Sequence, residues 1–192
     1  MARPREFDRD AVLDRAMELF WARGFDATSM SDLVDHVGIG RQSLYDTFGD
    51  KHALYLAALD RYRLERGSTP WHLLDDQPLR PGLRALFTAV IDWLLADPDG
   101  KICMLVTAAA ERCPRDAEVA ARFCANATDV ERRFVDRLTR ARDAGELGRH
   151  HDVTALARYL ASSLYGLQLT AKAQRDRASL ASIVDVTLSI LG

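Results

Sequence analysis

Three cysteines and a histidine pair are the side chains of this 192-residue chain best suited to nucleophilic, redox or metal chemistry. Cys103, Cys113 and Cys124 are odd in number and form no CxxC pair, so their spacing specifies neither a zinc site nor a dithiol couple. His150-His151-Asp152 adds borderline ligands to those soft ones. Adjacent histidines on a loop, however, read as solvated. The chain has no GxSxG elbow, P-loop, HExxH or GxGxxG. We therefore assign no catalytic residue, no metal ligand set and no cofactor, and read the protein as a non-enzyme. A metal or thiol sensor is the alternative that the Cys and His residues keep open.

Any site in this chain is held by helices. The chain is 48% hydrophobic with 26 basic and 28 acidic side chains, ordinary globular composition at a formal net charge of −2. No run approaches the ~18 apolar residues of a membrane span, and Met1 to Asp10 lacks the apolar segment of a signal peptide, so a cytoplasmic protein is expected. No period-2 run of β-branched residues predicts a strand. Asp8 can cap a first helix whose apolar face is Leu13, Met17 and Phe20, ended by Gly24. Ser29-x-x-Asp32 resembles a capping box, with Asp in place of Glu, opening a second helix that stops at Gly38. A short helix from about Gly40 to Phe48 follows, then one capped by Asp50 and running to about Arg66. Residues 67–81 read as a linker. Beyond it we expect a helix carrying Leu83 to Leu94, an all-round apolar segment from Ile102 to Ala110, a long helix after Pro114, and two more over about Val153–Ala173 and Leu180–Leu191. The fold class is all-α.

Short helices separated by glycine turns at Gly24 and Gly38 suggest a helix-turn-helix unit, in which the later helix enters the DNA major groove. A plain helical bundle fits the same pattern. Gly24-Phe25-Asp26-Ala27-Thr28-Ser29-Met30 and the stretch from Val37-Gly38-Ile39-Gly40-Arg41-Gln42-Ser43-Leu44-Tyr45 through Phe48, Lys51 and Leu54 carry more information. They resemble the DNA-binding domain of TetR-family transcriptional regulators across about Asp8 to Tyr62. Cys103 to Glu111 resembles a segment of one branch of that family, that of the copper- and stress-responsive repressors.

The resemblance implies a three-helix DNA-binding domain over 1–50, a connecting helix over 51–66, and a ligand-binding and dimerisation domain over 67–192, about nine helices in all. It makes Gly40–Phe48 the recognition helix. Arg41 would then fork to guanine, Gln42 would pair with adenine, and Ser43 would serve either strand. Tyr45, Thr47 and Lys51 would grip phosphates, and Ser29 at the start of its helix would hold another. Leu44 and Phe48 belong to the core. Gly40 stands where the family usually has Ser, and Asp46 places an acid on the recognition helix. Residues 1–62 hold eight cations and eleven acids, a formal −3, so few phosphate contacts are expected. Arg3 and Arg5 would be candidates for a minor-groove arm.

Groove-reading helices work in pairs, so a homodimer on a near-palindromic double-stranded operator is expected. Its interface would use Leu160, Ser163, Leu164, Leu167, Ile183, Val184, Thr187 and Leu188 of the last two helices. The resemblance implies a small-molecule effector pocket, here lined by Trp93, Cys103, Met104, Thr107, Phe123 and Cys124. The expected function is a ligand-released transcriptional repressor; a helical scaffold that has lost DNA binding is the remaining alternative.

Overall fold

The computed structural model describes residues 7–65 and 70–191. Among these residues the chain forms ten helices and no strand, so the all-α expectation holds: α1 (Arg9–Arg23), α2 (Met30–Val37), α3 (Arg41–Phe48), α4 (Lys51–Glu65), α5 (His72–Asp75), α6 (Leu79–Ala96), α7 (Met104–Arg112), α8 (Ala117–Asp143), α9 (Val153–Ala173) and α10 (Arg177–Ser189). Arg3 and Arg5 lie outside the described residues. No helix among the described residues is long and apolar enough to cross a membrane.

The chain packs as two units. The first comprises residues 1–67 together with Thr107–Arg122, the end of α7 and the start of α8. Helix α1 lies along α4 and touches α2, and α3 meets both α2 and α4. Local signals set these elements. Asp8 accepts the Asp10 N–H at the head of α1, and the Asp50 carboxylate accepts the Ala53 N–H at the head of α4. Phe20, Met17 and Ala16 of α1, Leu33 and Val37 of α2, Leu44 and Phe48 of α3, and Leu54, Tyr55 and Leu59 of α4 fill the interior. Tyr55 meets Phe20 edge-on at 5.0 Å between ring centroids. Polar ties lock the helices in register: Arg15 Nη1 donates to the Val37 carbonyl at 3.1 Å, and Arg61 grips Asp14 through two nitrogens at 2.9 and 3.2 Å.

The second unit comprises Ser68–Val106 and Phe123–Gly192. Helix α6 packs against α5, α9 and α10. Leu83, Leu86, Phe87, Leu94, Phe134, Leu138, Leu160, Leu164, Leu180 and Leu188 are among the most deeply buried of its core. Two expectations need correction here. The segment read as a linker contains α5, because Leu74 is buried and the Trp71 ring meets Phe134 at 5.3 Å. Helix α6 begins four residues earlier than the apolar pattern implied. Pro81 fits its first turn, where a backbone N–H has no helical partner, and Glu146 supplies the missing cap by accepting the Leu79 N–H at 2.5 Å. Gly82 is needed for close approach: a Cβ there would stand 3.0 Å from the Leu74 carbonyl oxygen of α5. Buried Arg137 satisfies that same α5 end, donating to the Leu74 and Gln77 carbonyls at 3.0 and 2.8 Å.

The structure places the residues expected at a dimer interface as follows. Leu160, Leu164, Leu167, Val184, Thr187 and Leu188 are buried within this chain's own second unit, and Ser163 and Ile183 are partly buried. The periodicity marked a real apolar face, but α6 and its neighbours cover it. The faces of α9 and α10 left open carry Tyr159, Leu169 and Val186, with Val186 65% exposed, and exposed Ile190 follows the end of α10.

Candidate nucleic-acid interface

Capping residues fix both ends of α2 and the head of α3. Ser29 and Asp32 form a reciprocal capping box: the Asp32 N–H donates to Ser29 Oγ at 3.1 Å, and the Ser29 N–H donates to Asp32 Oδ2 at 2.8 Å. The Ser29 hydroxyl and its N–H both hold the Asp32 carboxyl below its usual range. Gly38 ends α2 in the left-handed conformation at φ 75°. Gly40 then heads α3 with no side-chain cap.

Helix α3 turns Leu44 and Phe48 into the core, as expected, and leaves Arg41, Gln42, Tyr45 and Asp46 exposed, with Ser43 and Thr47 half-buried. These positions fall on opposite faces of a 3.6-residue helix. Gln42 Nε2 donates to Asp46 Oδ1 at 2.8 Å, one turn on. Thr47 donates its single hydroxyl hydrogen to the Ser43 carbonyl at 2.7 Å. The Ser29 hydroxyl likewise donates to Asp32 Oδ2. Both hydroxyls thus have partners within the chain, and the Asp32 carboxylate lies at the α2 N-terminus. Lys51 lies with Nζ 4.1 Å from the Phe25 ring centroid. Burial draws its ammonium below the usual lysine range, and the Arg112 charge adds to that while Asp26 opposes it.

A network that the sequence did not reveal braces this unit from the α7–α8 segment. The Arg112 guanidinium stands 4.5 Å from the Phe25 ring centroid and pairs with Asp26 at 3.1 Å and with Asp116 at 3.4 Å. His52, at the start of α4, meets Asp116 at 2.8 Å. Arg122 grips Asp60 with two nitrogens. Only Arg112–Asp116 has a local spacing; the other pairs join residues 62–86 positions apart, beyond the reach of any motif.

The residues expected to line an effector pocket are not all brought together. Met104 is buried, and Cys103 is partly buried with its N–H on Gln168 Oε1 at 3.0 Å. Phe123 packs against Tyr165 at 5.5 Å. Burial, reinforced by the charge of Cys103, pushes the Tyr165 phenol up to about 12. Trp93 and Cys124 are exposed, and Thr107 is buried one turn on from Met104 along α7. Gln168 and Tyr165, three residues apart on α9, are the polar groups of this region that the apolar stripe concealed.

Residues 12–58 match the family of bacterial regulatory proteins called tetR, and residues 80–186 match the tetracyclin repressor-like C-terminal domain. The chain belongs to the TetR family. It is 39% identical to the HTH-type transcriptional regulator YezE of Bacillus subtilis over the full length of both. It is 30% identical to the HTH-type transcriptional repressor ComR of Escherichia coli, covering 98% of this chain and 90% of ComR. Among solved structures, a cysteine mutant of the TetR-family regulator CifR, complexed with 26-bp double-strand operator DNA, superimposes with a TM-score of 0.85 at 32% identity over the whole of both chains. The reduced form of E. coli NemR shares the fold at a TM-score of 0.78 and 22% identity, covering 96% of this chain and 97% of NemR. The family resemblance carried by the first sixty residues thus extends through the chain.

Proposed function

We propose that this TetR-family regulator is a cytoplasmic, non-enzymatic homodimer that represses transcription from a near-palindromic operator and leaves it when a small molecule binds. The observation that carries the reading is the exposure pattern of α3. Arg41, Gln42 and Tyr45 stand open on the outer face of a helix whose inner face, Leu44 and Phe48, is fixed in the core. CifR, alike over its whole length, is a regulator solved on operator DNA. Arg41 and Gln42 are the base readers, and Tyr45 and Lys51 steady the backbone.

The dimer places the exposed α9–α10 face, with Tyr159, Leu169, Val186 and Ile190, against its symmetry mate. The domains divide functionally near residue 66, with the effector held in the second. Release is a population shift in which DNA and effector favour different spacings of the two α3 helices, so each weakens the other's binding reciprocally. Selection of bound sequences from random duplex DNA tests the reading. The wild type enriches a palindrome, and Arg41→Ala and Gln42→Ala each relax one position of every half-site by roughly 5- to 150-fold. A folded dimer that enriches no sequence contradicts it.

A further inference from the structure

Gln42 is one turn before Asp46 on the open face of α3, and its Nε2 donates to Asp46 Oδ1 at 2.8 Å. An acid on a helix that faces phosphates works against binding, so its presence there calls for a chemical reason. The hydrogen bond supplies one. A side-chain amide has two nearly isosteric ends, a donor NH₂ and an acceptor oxygen, and turns over by rotation about one bond. An ionised carboxylate only accepts. The partner therefore settles the orientation chemically: the NH₂ end of Gln42 faces Asp46, and Oε1 faces away from it.

We infer that Asp46 is a positioning residue that sets the base preference of Gln42, and that the base so selected is adenine. This rests on the DNA-reading role given to α3 above. When the amide hydrogen trans to Oε1 is given to Asp46, the other hydrogen and Oε1 lie along one edge, a donor beside an acceptor. Adenine presents the complement in the major groove, with N7 accepting and N6 donating. Guanine offers two acceptors there, cytosine a donor alone, and thymine an acceptor beside a methyl group. A free amide turns over to suit several of these partners. An amide held by Asp46 suits one. The acid thus trades affinity for all DNA against discrimination at one position.

The test is a comparison of full-length protein on its selected operator and on duplexes with each base substituted at the position that Gln42→Ala relaxes. Asp46→Ala is expected to bind the operator as well as or better than the wild type while its preference for adenine falls roughly tenfold or more. Asp46→Glu, which keeps a carboxylate within reach one turn away, retains the preference. In the Gln42→Ala background, Asp46→Ala changes no base preference. A uniform rise in affinity with preferences intact would overturn the inference, because it would make Asp46 merely repulsive. A uniform fall would overturn it by making Asp46 structural. Loss of a cytosine preference would also overturn it, by making Asp46 itself a reader of cytosine N4. Failure of the wild type to select any sequence is a separate result: it removes the DNA-reading role itself.

Discussion

Gly24 shows how much one residue can be asked to do. It ends α1 at φ +78°, a conformation that L side chains rarely adopt, and a Cβ there would stand 2.6 Å from Glu111 Oε1. The first constraint was legible, because a glycine just past an apolar helical face is a local stop signal; the second comes from a residue 87 positions away and was not. Gly24→Ala is expected to destabilise the folded chain by roughly 1–3 kcal/mol from the backbone alone, read as a lower urea midpoint at unchanged slope. Asp116 gives a pH prediction. Burial of its carboxyl raises the pKa, but the Val119 N–H, His52 and Arg112 outweigh that and leave it below the ordinary 3.8. A carboxylate depressed in the folded state contributes stability that is fully present above its unfolded value and is lost as pH falls through its folded one. Stability of the wild type should therefore drop between about pH 4 and the lower folded pKa of Asp116 more steeply than that of Asp116→Asn. Parallel curves would remove Asp116 as a contributor.

At the scale of elements, the sequence was informative wherever the signal was short. Asp8, Ser29 with Asp32, and Asp50 all cap as their positions suggest. Helix α5 escaped notice because four residues show no period, and its place is set by Leu74 and Trp71 packing against distant partners. The last two helices teach a different lesson. Their leucine stripes identify which residues share a face, yet periodicity says nothing about whether that face meets its own chain or another. Burial distinguishes the two here, and the distinction can be measured. Leu164→Glu places an unpaired charge in the core and should unfold the second unit, whereas Leu169→Glu or Val186→Asp should leave the helical circular dichroism intact and yield monomers in sedimentation. Monomers that still enrich a palindrome with wild-type affinity would contradict the paired-helix mechanism.

For the molecule as a whole, charge is the informative quantity. The first 62 residues carry a formal −3, and the Ser29 and Thr47 hydroxyls have partners within the chain itself. Few cations are left to displace counterions from DNA. The slope of log affinity against log salt should be no steeper than about −5, where a strongly basic repressor approaches −10. Binding to random duplexes should be correspondingly weak. A steep slope would mean that cations elsewhere in the chain reach the phosphates. The charge balance alone implies weak phosphate binding, whereas the commitment of the Ser29 and Thr47 hydroxyls depends on hydrogen-bond partners that composition does not name.

The division of the first unit into two stretches of chain, 1–67 and Thr107–Arg122, has a consequence for biosynthesis. Helices α1–α4 leave the ribosome first, but the guanidinium that stacks on Phe25 and the carboxylate that meets His52 belong to Arg112 and Asp116. At about 5–20 residues per second, the chain from Glu65 to Arg122 takes roughly 3–11 s to make. For that interval the nascent DNA-reading helices lack their brace. The first unit of this regulator is complete only after the ribosome has begun the second.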